Sequence, residues 1–183
     1  ITAGTLTYTA HSASRSYGVA NPVFSGTVSG FMGSDTEASA TTGTPSFTSP
    51  ATAASGVGSY AINGSGLTAN NGNYSFVQAA GNATALTVGA RAVALSGSRG
   101  YDGTKDAAAV ILAIDNKVGS DVVTLSGVAQ LAGKDVGPQA ISAGALALGG
   151  AAAGNYTLAG LSGSVNITAG TLTYTAHSAS RSY

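Results

Sequence analysis

Apolar residues recur along the chain in short alternating runs. In the opening segment Leu6, Tyr8 and Ala10 alternate with Thr7, Thr9 and His11. That period of two puts one set of side chains inside a sheet and the other outside. Tyr74-Ser75-Phe76-Val77 and Val122-Val123-Thr124-Leu125 carry the aromatic and β-branched residues that fit a pleated surface. Gly, Asn, Asp and Ser break the pattern about every ten residues, the spacing of antiparallel strands joined by turns. The best helix candidate is Lys105 to Asn116, KDAAAVILAIDN. Its counterpart elsewhere in the chain, Asn21 to Gly30, holds Pro22 and two glycines, so both segments are read as strand.

That counterpart exists because the chain repeats. Residues 1–17, ITAGTLTYTAHSASRSY, recur without change at 167–183, a period of 166. A weaker repeat lies inside the period. LTVGARAVALSGSRGYDG at 86–103 aligns with ITAGTLTYTAHSASRSYG at 1–18, with one residue gapped. Arg15 then matches Arg99, and Tyr17 matches Tyr101. Further on, Gly33-Ser34-Asp35 matches Gly119-Ser120-Asp121, Val57-Gly58 matches Val136-Gly137, and Gly72-Asn73-Tyr74 matches Gly154-Asn155-Tyr156. The order predicts two related β modules, 1–85 and 86–166, with 167–183 as the first strand of a third. Gly18 and Gly103 are expected at turns with positive φ. The aligned Tyr17 and Tyr101, with Tyr74 and Tyr156, are expected as structural landmarks, a buried Tyr supplying much of a small core.

Composition narrows the function. Of 183 residues, 106 are Ala, Gly, Ser or Thr, and only 8% are charged. Seven Lys and Arg balance seven Asp and Glu, so no basic surface is available to neutralise phosphates and a nucleic-acid partner is not expected. The absence of Cys excludes disulfides, a thiol nucleophile and Cys-ligated metal. It also suits export as an unfolded chain. No apolar run approaches the length of a membrane-spanning helix, so membrane insertion is not expected. Ile1 begins in the middle of a pattern; no signal peptide is read, and the chain is expected to be a piece of something longer.

Candidate chemistry is sparse. His11 and His177 are one position seen twice, on the polar side of a Thr-rich strand, and read as solvated. Asp35 with Glu37, or Asp102 with Asp106, could offer oxygen ligands to Ca²⁺, but neither forms a ligand-rich loop. Asp35 and Asp121, inside aligned Gly-Ser-Asp, read as turn residues. No catalytic residue, metal site or cofactor is expected. Asn63, Asn73, Asn82, Asn155 and Asn166 all stand in acceptor sequons and are the candidate glycan acceptors, although turn-forming Asn beside Ser and Thr explains them as well.

The first module, with GTLTYTAHSASRSYGVANP at 4–22, VGSYAI at 57–62 and NYSFV at 73–77, resembles the MBG domain of the YGX type. The second, with GYDGT at 100–104, VGSDVV at 118–123, VGPQAI at 136–141 and GNYTL at 154–158, resembles the YDG domain. Gly137-Pro138-Gln139 departs from that pattern, where an aromatic is common. The resemblance implies tandem arrays in large, secreted, filamentous-haemagglutinin-like bacterial adhesins. The expectation is an all-β chain of two small β-sandwich or β-grasp-like modules of antiparallel strands. Short connections at Ala3-Gly4, Val88-Gly89 and Ala169-Gly170 would stack them as a semi-rigid rod. The implied role is a stalk or spacer of an extracellular fibre, not an enzyme. Its partners would be neighbouring repeats and other copies end to end or side by side, with any cell-surface or polysaccharide ligand held elsewhere in the parent protein. The alternative is an adhesive module that itself binds carbohydrate or its own kind, assembling end to end into filaments.

Overall fold

The computed structural model describes residues 2–183; Ile1, the first residue of the first predicted module, lies outside the described residues. The chain is all-β, apart from single turns of 3₁₀ helix and one four-residue α-helix. It forms two compact units, one of residues up to Arg91 together with Ala152–Thr157, the other of Ala92–Ala151 and Leu158–Tyr183.

The first unit contains β1 (Gly4–Ala10), β2 (Ala13–Ser16), β3 (Gly26–Ser29), α1 (Glu37–Ala40), β4 (Thr41–Thr48), β5 (Gly58–Tyr60), β6 (Asn63–Ala69), β7 (Tyr74–Gln78) and β8 (Leu86–Gly89). As the alternation requires, Leu6 and Tyr8 of β1 point inward and are buried, while Thr9 and His11 are exposed. β1 lies between two partners: antiparallel to β3, with Tyr8 opposite Val28, and parallel to β7, with Leu6 opposite Phe76. β8 is likewise parallel to β2 and antiparallel to β5. These two parallel pairings correct the expectation of antiparallel strands alone. Each joins strands far apart in sequence, whose long connections let the chain return in the same direction. β4 and β6 form a separate antiparallel pair.

Two aromatic residues organise this unit. The Tyr8 ring stacks on Phe76 at 5.4 Å and meets Phe47 edge-on at 6.1 Å, and its hydroxyl accepts the Leu67 N–H at 3.0 Å. β6 can come this close only because residue 64 is glycine: a Cβ there would sit 2.4 Å from the ring. Tyr74 packs with Leu6 and Ala40 and meets Phe31 edge-on. α1 has no counterpart among the predicted elements. Thr36 caps it by accepting the Ser39 N–H, and Ser39 Oγ accepts the Thr36 N–H, a reciprocal box carried by Ser in place of Glu.

The second unit contains β9 (Arg91–Gly100) apart from Arg91, β10 (Asp106–Ala108), β11 (Leu112–Ile114), β12 (Thr124–Ser126), β13 (Val128–Leu131), β14 (Gly137–Ser142), β15 (Ala147–Gly149) and most of β16 (Tyr156–Thr168). Six strands form one sheet in the order β10-β13-β14-β16-β9-β11, and β12 pairs with β15. Val93, Leu95, Leu131, Val165 and Ile167 make the core. Ala107 and Ala129, partners across β10 and β13, are both fully buried. Methyl side chains at such positions let the layers approach closely, at the cost of little apolar area per residue.

Two strand assignments shift. The Lys105–Asn116 run is β10 and β11 with a 3₁₀ turn at Ala109–Ile111 between them. In the Val122–Leu125 run only Thr124 and Leu125 join β12; Val122 is exposed and Val123 is buried outside any strand. The aligned Gly-Ser-Asp segments do form the same turn, with Asp35 N–H donating to Met32 O at 3.0 Å and Asp121 N–H donating to Val118 O at 3.1 Å.

The largest departure is at the C-terminal copy of the repeat. Only Ile167 and Thr168 of 167–183 lie in a strand, at the end of β16; residues 169–183 are exposed and form none. Leu6 is fully buried, whereas the identical Leu172 is 84% exposed; Tyr8 is 2% exposed and Tyr174 94%. Residues 169–183, expected to belong to the first strand of a third module, thus form no strand among the described residues. β1 is held by β3 and β7, and the 183 residues contain no counterpart of either strand after the second copy.

The two copies make a controlled comparison. Leu6→Ala is expected to cost about 2–5 kcal/mol by loss of buried surface and the cavity left behind. Leu172→Ala is expected to stay within about 0.5 kcal/mol of the parent. Urea denaturation of both variants checks this; equal effects would refute the assignment of β1 as core and 169–183 as solvent-facing.

Candidate functional site

The residues singled out for chemistry do not converge. His11 is exposed, its Nδ1 3.1 Å from Ser25 Oγ. Asp35 accepts the Tyr74 hydroxyl at 2.6 Å, and Glu37 opens α1. The Tyr74 phenol is raised chiefly by the hydrogen bond it donates to the Asp35 carboxylate, which deprotonation would forfeit; a Met32 N–H donated to the same oxygen works in the opposite sense. Asp102 Oδ1 accepts both the Thr104 N–H and its hydroxyl at 2.9 Å, closing an Asx turn, and pairs with Arg99. Asp106 accepts from Gln130 at 2.6 Å. Among the described residues no group of three or more His, Asp or Glu could hold a metal.

The aligned arginines serve structure. Arg15 is buried, and neutral oxygens surround it: Nε donates to Asn21 Oδ1 at 2.7 Å, Nη1 to Ser16 O at 3.3 Å, and Nη2 to Thr52 O. Arg99 repeats part of this, donating to Gly100 O at 3.4 Å and Thr104 O at 2.7 Å. Gly18 and Gly103, which come shortly after these arginines, share a φ of 79°. A side chain is strained in that region, so the turn selects glycine.

The aligned tyrosines differ. Tyr17 is buried in the first unit, where its ring meets Tyr156 edge-on at 5.7 Å. Tyr101 is 44% exposed, so the expectation of a second buried core Tyr fails there. The Gly-Asn-Tyr landmarks both belong to the first unit, since Ala152–Thr157 is part of it. In each the Gly lies in a 3₁₀ turn and the Tyr opens a strand. At the second copy Asn155 Oδ1 accepts the Val57 N–H at 2.9 Å. At the first copy Asn73 is exposed, and Asn73 and Tyr74 line an open cavity of about 660 Å³ with Thr2, Ala3, Gly4 and Met32.

The five sequon asparagines separate by environment. Asn63, Asn73 and Asn166 are exposed, and Asn155 is half-buried. Asn82 is buried, and its Nδ2 donates at 2.9 Å to both Tyr8 O and Gln78 Oε1, while its Oδ1 accepts the Ala10 N–H at 2.8 Å. This corrects its reading as a glycan acceptor, because in the folded unit the amide is enclosed and committed. Asn82 works instead as a strand partner made of side chain, bonding Tyr8 O and Ala10 N as a neighbouring backbone would. Asn116 does the same in the second unit, with Nδ2 on Ala92 O at 2.9 Å and Oδ1 on Ala94 N at 3.0 Å. This pairing escapes the sequence reading, because the two Asn do not align and their partners lie 24 and 74 residues away.

Asn82→Ala is expected to take from the Ala10 N–H its side-chain acceptor, while Tyr8 O keeps the Ala79 N–H at 2.9 Å; one unsatisfied group costs about 1–3 kcal/mol, which denaturant midpoints check. Asp102 yields a pH prediction. The Thr104 N–H, then Arg99, hold its carboxyl down at about 2. A folded value below the unfolded one of about 4 means the stabilisation is complete above pH ~4 and lost as pH falls towards 2. NMR titration should find Asp102 still ionised at pH 3. In Asp102→Asn the stability change between pH ~4 and ~2 should become shallower.

Residues 6–84 match the MBG domain (YGX type), and residues 82–165 match the YDG domain. Neither is an enzymatic family, and both are consistent with adhesin-like repeats. No curated protein and no solved structure gives a significant match. The chain belongs to these two families, as a tandem of an MBG domain of the YGX type and a YDG domain.

Proposed function

We propose that the chain is a structural spacer unit of a large, secreted bacterial surface adhesin or matrix fibre, in which copies succeed one another and add reach. The observation that carries this reading is the unchanged recurrence of seventeen residues after 166 positions, spanning one MBG domain and one YDG domain. The side chains support it. The buried Arg15 and Asn82 are consumed in holding strands and turns. Asp102 is tied into a turn by Thr104 and Arg99. An extracellular location and partners drawn from neighbouring copies belong to the same reading. Length is then adjusted by the number of copies, with no demand for new chemistry in each.

A second reading, a module that binds carbohydrate, draws on one observation. An open cavity of about 500 Å³ in the first unit is lined by Pro22, Val23, Phe24, Pro45 and Phe47, and Val23 is 98% exposed. Aromatic and proline faces of this kind can stack on sugar rings.

A glycan array probed with the 183-residue chain separates the two. The spacer reading expects no binding above background. Saturable binding to a glycan class, lost at least tenfold in Phe47→Ala with the fold intact by circular dichroism, would replace it by the adhesive reading.

A further inference from the structure

We propose that the cavity over Tyr74 is a socket for Tyr101 of the preceding copy of the repeat. It would repeat, from copy to copy, the arrangement already seen at Tyr17 and Tyr156. The inference rests on the tandem spacer reading and deepens it by naming the docking residues.

The first unit holds a filled and an open version of one site. At the filled version the Tyr17 ring lies edge-on to Tyr156, the Val57 N–H donates to Asn155 Oδ1, and the Tyr17 N–H donates to Gly89 O at 2.8 Å. By the internal alignment, Tyr156 corresponds to Tyr74, Asn155 to Asn73, and Thr87-Val88-Gly89 to Thr2-Ala3-Gly4. Those counterparts line the open cavity. The residues corresponding to the visitors, Tyr17 and Val57, are Tyr101 and Val136. Tyr101 is 44% exposed and Val136 59%. Socket and plug are thus both present and both open to solvent.

A third observation places the plug beside half of its socket. The Tyr101 N–H donates to Thr168 O at 2.8 Å, and Tyr101 O lies 3.7 Å from where a Cβ would stand on Gly170. Thr168-Ala169-Gly170 is the second copy of Thr2-Ala3-Gly4, the backbone wall of the cavity. A chain that continues from there into a further copy carries the other wall, Met32, Asn73 and Tyr74, towards Tyr101. The same continuity makes the occupant the preceding copy in one chain. A separate molecule would have to displace Thr168–Gly170 from Tyr101 before presenting its own Thr2–Gly4. The docked ring would bury aromatic surface edge-on, and Asn73 Oδ1 would accept the Val136 N–H.

The test uses a chain of two successive copies, completing the one begun at 167–183. The sequence has no Cys, so introduced thiols are unique. Val136→Cys in the first copy is combined with Asn73→Cys in the second and treated with a short bismaleimide. The control replaces Val136→Cys by Val110→Cys, at a side chain 90% exposed. All three positions face solvent, and circular dichroism confirms that each variant folds. The 136/73 pair is expected to cross-link within one chain at least tenfold faster than the 110/73 pair, and Tyr101→Ala in the first copy to bring the rate down to the control. Equal rates for the two pairs, or a fast 136/73 rate unchanged by Tyr101→Ala, would overturn the proposal. Neither result bears on the glycan array, so failure of the socket and failure of the spacer reading remain distinct.

Discussion

The first unit depends on the two-sided ladder of β1. Its backbone is satisfied on one edge by β3 and on the other by β7, and its inward side chains Leu6 and Tyr8 carry the core. The molecule contains its own control. The same residues at 170–176 have the same propensities and the same alternation, yet form no strand. Intrinsic β preference is therefore not what makes β1 a strand; pairing and burial are, as expected for a structure whose local preference is weak and context-dependent. A lone strand leaves every N–H and C=O to water and gains no burial to offset the ordering entropy.

That dependence on partners explains the side-chain amides. A chain with so many Ala and Gly has little apolar area per residue, so each backbone group that enters the interior must be matched. Where the strands run out, Asn82 and Asn116 supply carboxamides that copy the donor and acceptor of a missing neighbour. Arg15 does related work, collecting three neutral oxygens around the turn that ends at Gly18. Each of these polar groups has hydrogen-bond partners where it enters the interior, which is why its burial is tolerable.

The features legible in the sequence are those that depend on neighbours along the chain. The alternation of β1, the glycines at 18 and 103, and the shared turn before Asp35 and Asp121 all come from local rules, and the structure contains them. The features that were not legible depend on distant pairing. The parallel directions of β1 with β7 and of β2 with β8 are set by how the chain returns, which no local pattern encodes. The split of the apolar run at Ala109–Ile111 comes from a corner between two sheet strands. Asn82 reads as an exposed sequon because its partners, Tyr8 and Ala10, are remote in sequence. Tyr101 reads as a second Tyr17 because alignment carries residue type and not burial.

The contrast between Tyr17 and Tyr101 also bears on how a repeat of this kind is specified. If each domain were complete in itself, aligned residues would have aligned surroundings. Instead the first unit includes Ala152–Thr157, a segment that the sequence assigns to the second domain family. A unit completed by residues from farther along the chain has its boundary in space displaced from its boundary in sequence. Such a displacement ties the stability of the first unit to a segment that lies well beyond it in the chain, a coupling of the nearest-neighbour kind known from linear repeat proteins. The exposure of Leu172 and Tyr174 shows the same dependence from the other side: among the described residues that copy has no counterpart of β3 or β7, and it stays solvated.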